Sequence, residues 1–124
     1  MLSDHYNKIN RTEKYMSYRD FTWSKTEKNI ARKAYDLALH REMDTIQTEV
    51  INRAAALKKP ADVWALHNYL TRTRREIDRK YDYRYSVLIR VFAQLIYDGY
   101  LKLEDLEGLS EEKLEMIKRM AEPD

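Results

Sequence analysis

The sequence predicts an all-α fold: a long two-helix stem carrying a small helical head, assembled as an elongated homodimer. Three observations lead there. The 124 residues hold only two glycines and two prolines, and no run alternates apolar and polar residues between turn signals, so strands have nowhere to turn. Apolar residues recur three or four apart, giving one narrow stripe along the stretch from Ser24 to Leu57, as a coiled-coil seam does. That helix would be about 50 Å long at 1.5 Å per residue, too long for a compact globule of this size. A second long helix and a subunit mate are needed to cover it.

The elements follow in order. Residues 1–22 are polar and carry Tyr6, Tyr15 and Tyr18 without an apolar period, which predicts an N-terminal extension that is poorly ordered or orders only against the body. Ser24 followed by Glu27 is a capping-box pattern that opens the first helix. Its stripe is Ala31, Tyr35, Leu39, Met43, Ile46, Val50, Ala54 and Leu57. Lys58-Lys59-Pro60 interrupts it, because proline disfavours helix in the residue before it yet suits a helix's first turn. The second helix therefore starts at Pro60 or Ala61 and ends near Tyr81.

Tyr81, Tyr83 and Tyr85 read as packing around a joint. Ser86 to Tyr97 is apolar nearly all round, the mark of a buried helix, and Gly99 stands where a left-handed cap is expected. Ser110-Glu111-Glu112 opens a short last helix carrying Leu114, Ile117 and Met120. Residues 23–124 thus form one all-helical domain, with the stem over about 24–81 and the head over about 84–122.

Composition narrows the function. With 35% charged residues and a mean hydropathy of −0.78, the chain is expected to be soluble and cytoplasmic, with a modest core. A net charge of +2 with dispersed acidic residues argues against a nucleic-acid coat or a polybasic membrane anchor. The absence of cysteine removes disulfides, thiolate metal sites and a cysteine nucleophile. The start Met-Leu-Ser-Asp-His lacks the apolar stretch of a secretory signal. The most apolar window, Val87 to Ile96, is far short of the ~20 residues a membrane span needs and holds Arg90.

Catalytic and metal motifs are missing as well. The residues three before His5, His40 and His67 are Leu2, Leu37 and Trp64, so the Glu-x-x-His pairs of helical di-iron sites do not occur. There is no His-Glu-x-x-His, no glycine-rich phosphate loop and no Gly-x-Ser-x-Gly elbow. The expectation is a protein that is no enzyme and holds neither metal nor cofactor.

One stretch stands out. At about 100° of rotation per residue, Trp64, His67, Asn68, Thr71, Arg74, Arg75 and Asp78 fall on one face of the second helix, beside an apolar face of Val63, Leu66, Leu70, Ile77 and Tyr81. The tryptophan is on the polar side. Tryptophan and arginine are enriched at interface hot spots because they join apolar area to hydrogen-bonding tips, so this face reads as a docking surface. The plainer reading is that Trp64 caps a core edge or an inter-subunit seam. Arg72, Arg74, Arg75, Arg79, Lys80 and Arg84 would suit phosphate contacts, but Glu76, Asp78 and Asp82 interleave with them, so a salt-bridged helix surface is the stronger reading and nucleic-acid binding a distant one.

The segment Val63-Trp-Ala-Leu-His-Asn-Tyr-Leu70, with Arg74-Arg-Glu-Ile-Asp-Arg-Lys-Tyr-Asp82, Arg84, Ser86-Val87 and Val91-Phe-Ala-Gln-Leu95, resembles the fluorescence recovery protein family of cyanobacterial photoprotection. Weaker similarity runs back through Arg32-Lys33-Ala34-Tyr35 to Trp23-Ser24, so the resemblance covers most of residues 23–121 and leaves 1–22 as an added extension. It implies an all-helical dimer with a stem and a head. It also implies a function: such proteins bind the light-activated red form of the orange carotenoid protein, speed its return to the orange form and so end quenching at the phycobilisome, with no cofactor of their own.

The family's important tryptophan, histidine, aspartate and arginine match Trp64, His67, Asn68 and Arg74 here. Asn68 departs from the pattern: it stands where a carboxylate is typical, which turns a charge-assisted contact into a neutral hydrogen bond of roughly half the strength. Arg90 is a second departure, at a head position expected to be bulky and apolar. Ile46, Val50 and Val63 are assigned to the dimer seam. The alternative reading is a dimeric adaptor of the same fold that binds a different protein client.

Overall fold

The computed structural model describes residues 20–123, and its first helix begins as the capping pattern dictates. Ser24 and Glu27 satisfy each other's backbone: Glu27 N donates to Ser24 Oγ at 3.1 Å and Ser24 N to Glu27 Oε1 at 3.1 Å. Helix α1 then runs Lys25–Ala55, 31 residues and about 46 Å at 1.5 Å per residue. It stops two residues short of Leu57. The N–H groups of Lys58 and Lys59 turn instead to one carboxylate oxygen of Asp62, at 2.9 and 3.0 Å, which ties the loop to the next helix. Helix α2, Pro60–Lys80, opens on a proline whose missing N–H has no helical partner to lose.

Helix α3 spans Leu88–Tyr97 rather than starting at Ser86. Residues 84–87 form a turn closed by Val87 N on Arg84 O at 3.0 Å. The tyrosines hold this segment: Tyr35 meets Tyr81 and Tyr83 edge-on at 5.4 and 4.9 Å, and Tyr83 meets Tyr85 at 5.6 Å. Gly99 follows α3 with φ of 87°, the left-handed conformation that glycine adopts freely. A 3-10 turn, Leu103–Leu106, leads to α4, Glu111–Ala121, which Ser110 caps by accepting from Lys113 N at 3.3 Å. No strand forms among the described residues; Glu107 and Leu109 share an isolated bridge.

The core gathers one half of α1 with everything after residue 87. Ala31, Ala34 and Ala38 let α1 come close to Leu88, Phe92 and Leu95 of α3, Leu106 of the turn, and Ile117 and Met120 of α4, all in one buried cluster. The stripe read from sequence passes over Ala34 and Ala38, because small side chains carry little apolar weight although they decide how closely helices approach. Gly108, at φ 106°, presses on Ile30, where a Cβ would stand 2.5 Å from Ile30 Cδ1.

The other half of α1 pairs with α2 in an antiparallel hairpin. Arg53 lies over the Tyr69 ring at 4.1 Å near the loop, and Lys80 meets Glu42 at the far end. No residue of α2 is buried. Val63 is 49% exposed, Leu70 41%, Met43 46% and Ile51 58%, so the hairpin presents an apolar face that the chain itself leaves uncovered. Ile51 lies off the predicted stripe.

Candidate partner-binding face

Helix α2 places the four residues singled out from sequence, Trp64, His67, Asn68 and Arg74, in exposed positions along about three turns. Trp64 is 66% exposed, and its indole meets the His67 ring edge-on at 6.1 Å with 78° between planes. That contact fixes the two rings relative to each other and leaves the indole available to a partner. Arg74 Nε donates to Asp78 at 3.2 Å one turn on, with both side chains well exposed. Such a surface pair is worth under about 1 kcal/mol, so the guanidinium can be taken by an incoming carboxylate at little cost. Asp82, read from the sequence with the arginines of α2, accepts from Arg84 Nε at 2.8 Å.

The residues assigned to a seam divide. Ile46 and Val50 of α1 are half-buried, whereas Val63 of α2 is half-exposed beside Trp64. The candidate partner-binding residues thus share α2 with Val63 and Leu70 of the uncovered apolar face, while Leu66, Tyr69 and Ile77, partly buried, turn the other way.

The C-terminal end of α2 is clamped by a partly buried polar cluster around the buried Glu42 that sequence reading misses. Lys80 Nζ donates to Glu42 Oε2 at 2.8 Å and to Asp98 Oδ2 at 2.9 Å, and Tyr81 Oη donates to Glu42 Oε1 at 2.8 Å. Burial alone would discharge Lys80, but the two carboxylates outweigh it and raise its pKa, so the ammonium is retained. Burial, followed by the Glu42 hydrogen bond, pushes the Tyr81 hydroxyl up, which keeps it a donor. Gln94 Nε2 donates to the other Asp98 oxygen at 2.9 Å. One clamp therefore joins α1, α2 and α3.

A second ion pair fixes the start of α1. Lys113 Nζ donates to Glu27 Oε1 and Oε2 at 3.1 and 3.0 Å and to Thr22 O at 2.7 Å, beneath the rings of Phe21 and Trp23. Burial opposes the charge on Glu27, yet the N–H groups of Ser24 and Ser110 together with Lys113 hold its carboxyl below the usual range. The sequence marks Glu27 only as a cap. Nothing in a linear reading pairs it with a lysine 86 positions away.

Among the described residues no three His, Asp or Glu side chains gather in a way that would hold a metal ion, and no helix is long and apolar enough to cross a membrane. The exposed face of α2 offers an aromatic anchor, polar rim groups and an arginine on one helix. Those are the parts of a protein-binding surface.

Comparison with known proteins identifies the family of the chain. A family model described as the photoprotection regulator fluorescence recovery protein matches residues 23–121. The fluorescence recovery protein of Synechocystis sp. is 39% identical over 99 residues, covering 80% of this chain and 91% of that protein. The structure of the Fremyella diplosiphon fluorescence recovery protein superimposes with a TM-score of 0.78 at 42% identity, over 81% of this chain and 98% of that one. The Synechocystis structure gives 0.78 at 39% identity with the same coverage. The chain with the exposed Trp64 face on an otherwise unburied helix belongs to the fluorescence recovery protein family of photoprotection regulators.

Proposed function

We propose that this protein is a non-enzymatic, cytoplasmic, homodimeric regulator that binds the light-activated orange carotenoid protein and accelerates its reversion to the inactive orange form, ending phycobilisome quenching. Family membership supports the reading, and one structural observation carries it. Trp64 is 66% exposed beside His67 on a helix with no buried residue, and a protein leaves so large an apolar side chain in water at small benefit unless a partner covers it. Trp64 is then the apolar anchor, His67 and Asn68 are polar specificity contacts, and Arg74 is the charged one.

The hairpin over residues 24–81 acts as the stem of an elongated dimer, with Ile46, Val50 and Val63 in its seam, and residues 84–122 form the head. Acceleration requires differential binding. The regulator must hold an intermediate arrangement of the carotenoid protein more tightly than the fully activated one, since a ligand shifts an equilibrium only by its difference in affinity. Titrating fluorescently labelled protein against the carotenoid protein held under blue light and against its dark form tests the choice of partner and the role of Trp64. Tight binding confined to the illuminated form, weakened by Trp64→Ala, is the expected result. Equal binding to both forms would contradict it.

A second reading rests on Asn68. With an amide in place of the family's carboxylate, the same face suits a partner that offers no cation there, as a dimeric adaptor with another protein client would need. An intact dimer that binds neither form of the carotenoid protein, in which Asn68→Asp restores no binding, would favour it.

A further inference from the structure

The outer face of α4 carries a groove of about 670 Å³ whose chemistry the partner face does not use. Glu111, Glu112 and Glu115 put three carboxylates on it against one guanidinium, Arg119, while Phe21, Leu114 and Met116 give it apolar walls. Groove charge is thus −2. Phe21, one wall, is held in place: the Lys113 ammonium sits 5.3 Å from its ring and takes the carbonyl of Thr22 at 2.7 Å. The chain preceding α1 therefore arrives at the rim of the groove.

We propose that the groove is an intramolecular docking surface for residues 1–19 of the same chain. Charge is complementary, since Lys8, Arg11, Lys14 and Arg19 against Asp4 and Glu13 give that segment +2. Tyr6, Ile9, Tyr15, Met16 and Tyr18 supply side chains for the apolar walls. Reach is ample, as a stretch of this length spans up to about 60 Å when extended and Tyr18 lies three positions from Phe21. Tethering makes even a weak site effective, because a short linker holds its end at about millimolar effective concentration. Residues 1–22 lie outside the stretch matched by the family model, so the occupant and the Phe21 wall belong to the part of the chain that the family relationship does not account for, while the glutamates of the groove lie within the matched stretch.

The test uses the full chain. Zero-length carbodiimide coupling joins ammonium groups to adjacent carboxylates, and mass spectrometry locates the links. The expected result is links from Lys8, Lys14 or the terminal amine concentrated on Glu111, Glu112 and Glu115. An equimolar mixture of isotopically light and heavy chains assigns them, and links between chains of different mass would overturn the intramolecular assignment in favour of a second copy. Since the chain has no cysteine, Ser17→Cys takes a single fluorophore, whose anisotropy should fall when Glu112→Gln and Glu115→Lys are introduced and recover when Lys14→Glu is added. Those glutamates are exposed, and circular dichroism verifies that the variants keep their helices. Links spread evenly over the glutamates of α1 and the 3-10 turn, or an anisotropy indifferent to the charge reversals, would overturn the proposal.

Discussion

Trp64 and Glu27 mark the two extremes of what single residues do in this protein. The Trp64 indole is 66% exposed, so Trp64→Ala should leave unfolding within about 0.5 kcal/mol of wild type. The same change should weaken partner binding by about 2 kcal/mol, roughly 30-fold, as expected of a hot-spot tryptophan. Chemical denaturation beside a binding titration separates the two effects. Asn68→Asp works in the opposite direction: restoring a charge-assisted contact should tighten binding to the carotenoid protein by about 1 kcal/mol, around fivefold. An unchanged affinity would remove Asn68 from the contact surface, and a lower one would show that the partner offers no cation there.

Glu27 is the opposite case, with side-chain exposures of 5% for Lys113 and 12% for Glu27 in the pair. Glu27→Gln leaves Lys113 buried without its counter-charge and should cost about 3–5 kcal/mol near neutral pH. The pH dependence has a definite sign. The folded carboxyl titrates below its unfolded value, so its contribution is complete above about pH 4.3 and is lost as pH falls through the lowered folded value. Acid unfolding of Glu27→Gln should therefore be less steep than that of wild type. Some slope should survive, because Asp105, held down by Lys102 N–H and Arg41 against its burial, titrates low as well.

At the scale of elements, sequence and structure agree wherever the signal is local. Ser24 with Glu27, Pro60, Gly99 and Ser110 each act through their own backbone or neighbours within four positions, and each helix end they mark falls within two residues of its place. Agreement fails where the determinant is distant. The Lys80 clamp to Glu42 and Asp98 joins residues 38 and 18 positions apart, and in a linear reading a lysine at a helix end is simply a solvated charge. The exposure of Trp64 was legible because a tryptophan on the polar side of a periodic helix breaks the pattern that packing alone would produce. The clamp makes a prediction for α2 as a unit. Lys80→Met strands two carboxylates in the joint and should destabilise by about 3–5 kcal/mol, with faster amide exchange spreading from the C-terminal turns of α2. Exchange confined to Lys80 and its immediate neighbours would show that the clamp does not position the helix.

For the molecule as a whole, the uncovered face of the hairpin calls for a second copy. Met43, Ile51, Val63 and Leu70 are each more than two-fifths exposed in the single chain, and a helix with no fully buried residue draws only part of its stability from packing within that chain. The proposed dimer covers that surface. Val63→Glu would place a carboxylate in the seam at a cost of several kcal/mol unless it is neutralised. Light scattering after size exclusion should find a monomer, and a dimer of unchanged mass would place Val63 outside the interface.

The central claim is that this dimer speeds the relaxation of an activated carotenoid protein through its Trp64 face. The most direct measurement mixes the purified protein with light-activated orange carotenoid protein, transfers it to darkness and follows the red-to-orange absorbance change with wild type, with Trp64→Ala and with no addition. Recovery should be faster with wild type, and most of that acceleration should be lost with Trp64→Ala. Recovery at the unassisted rate in the presence of an intact wild-type dimer, or equal acceleration by both proteins, would contradict it.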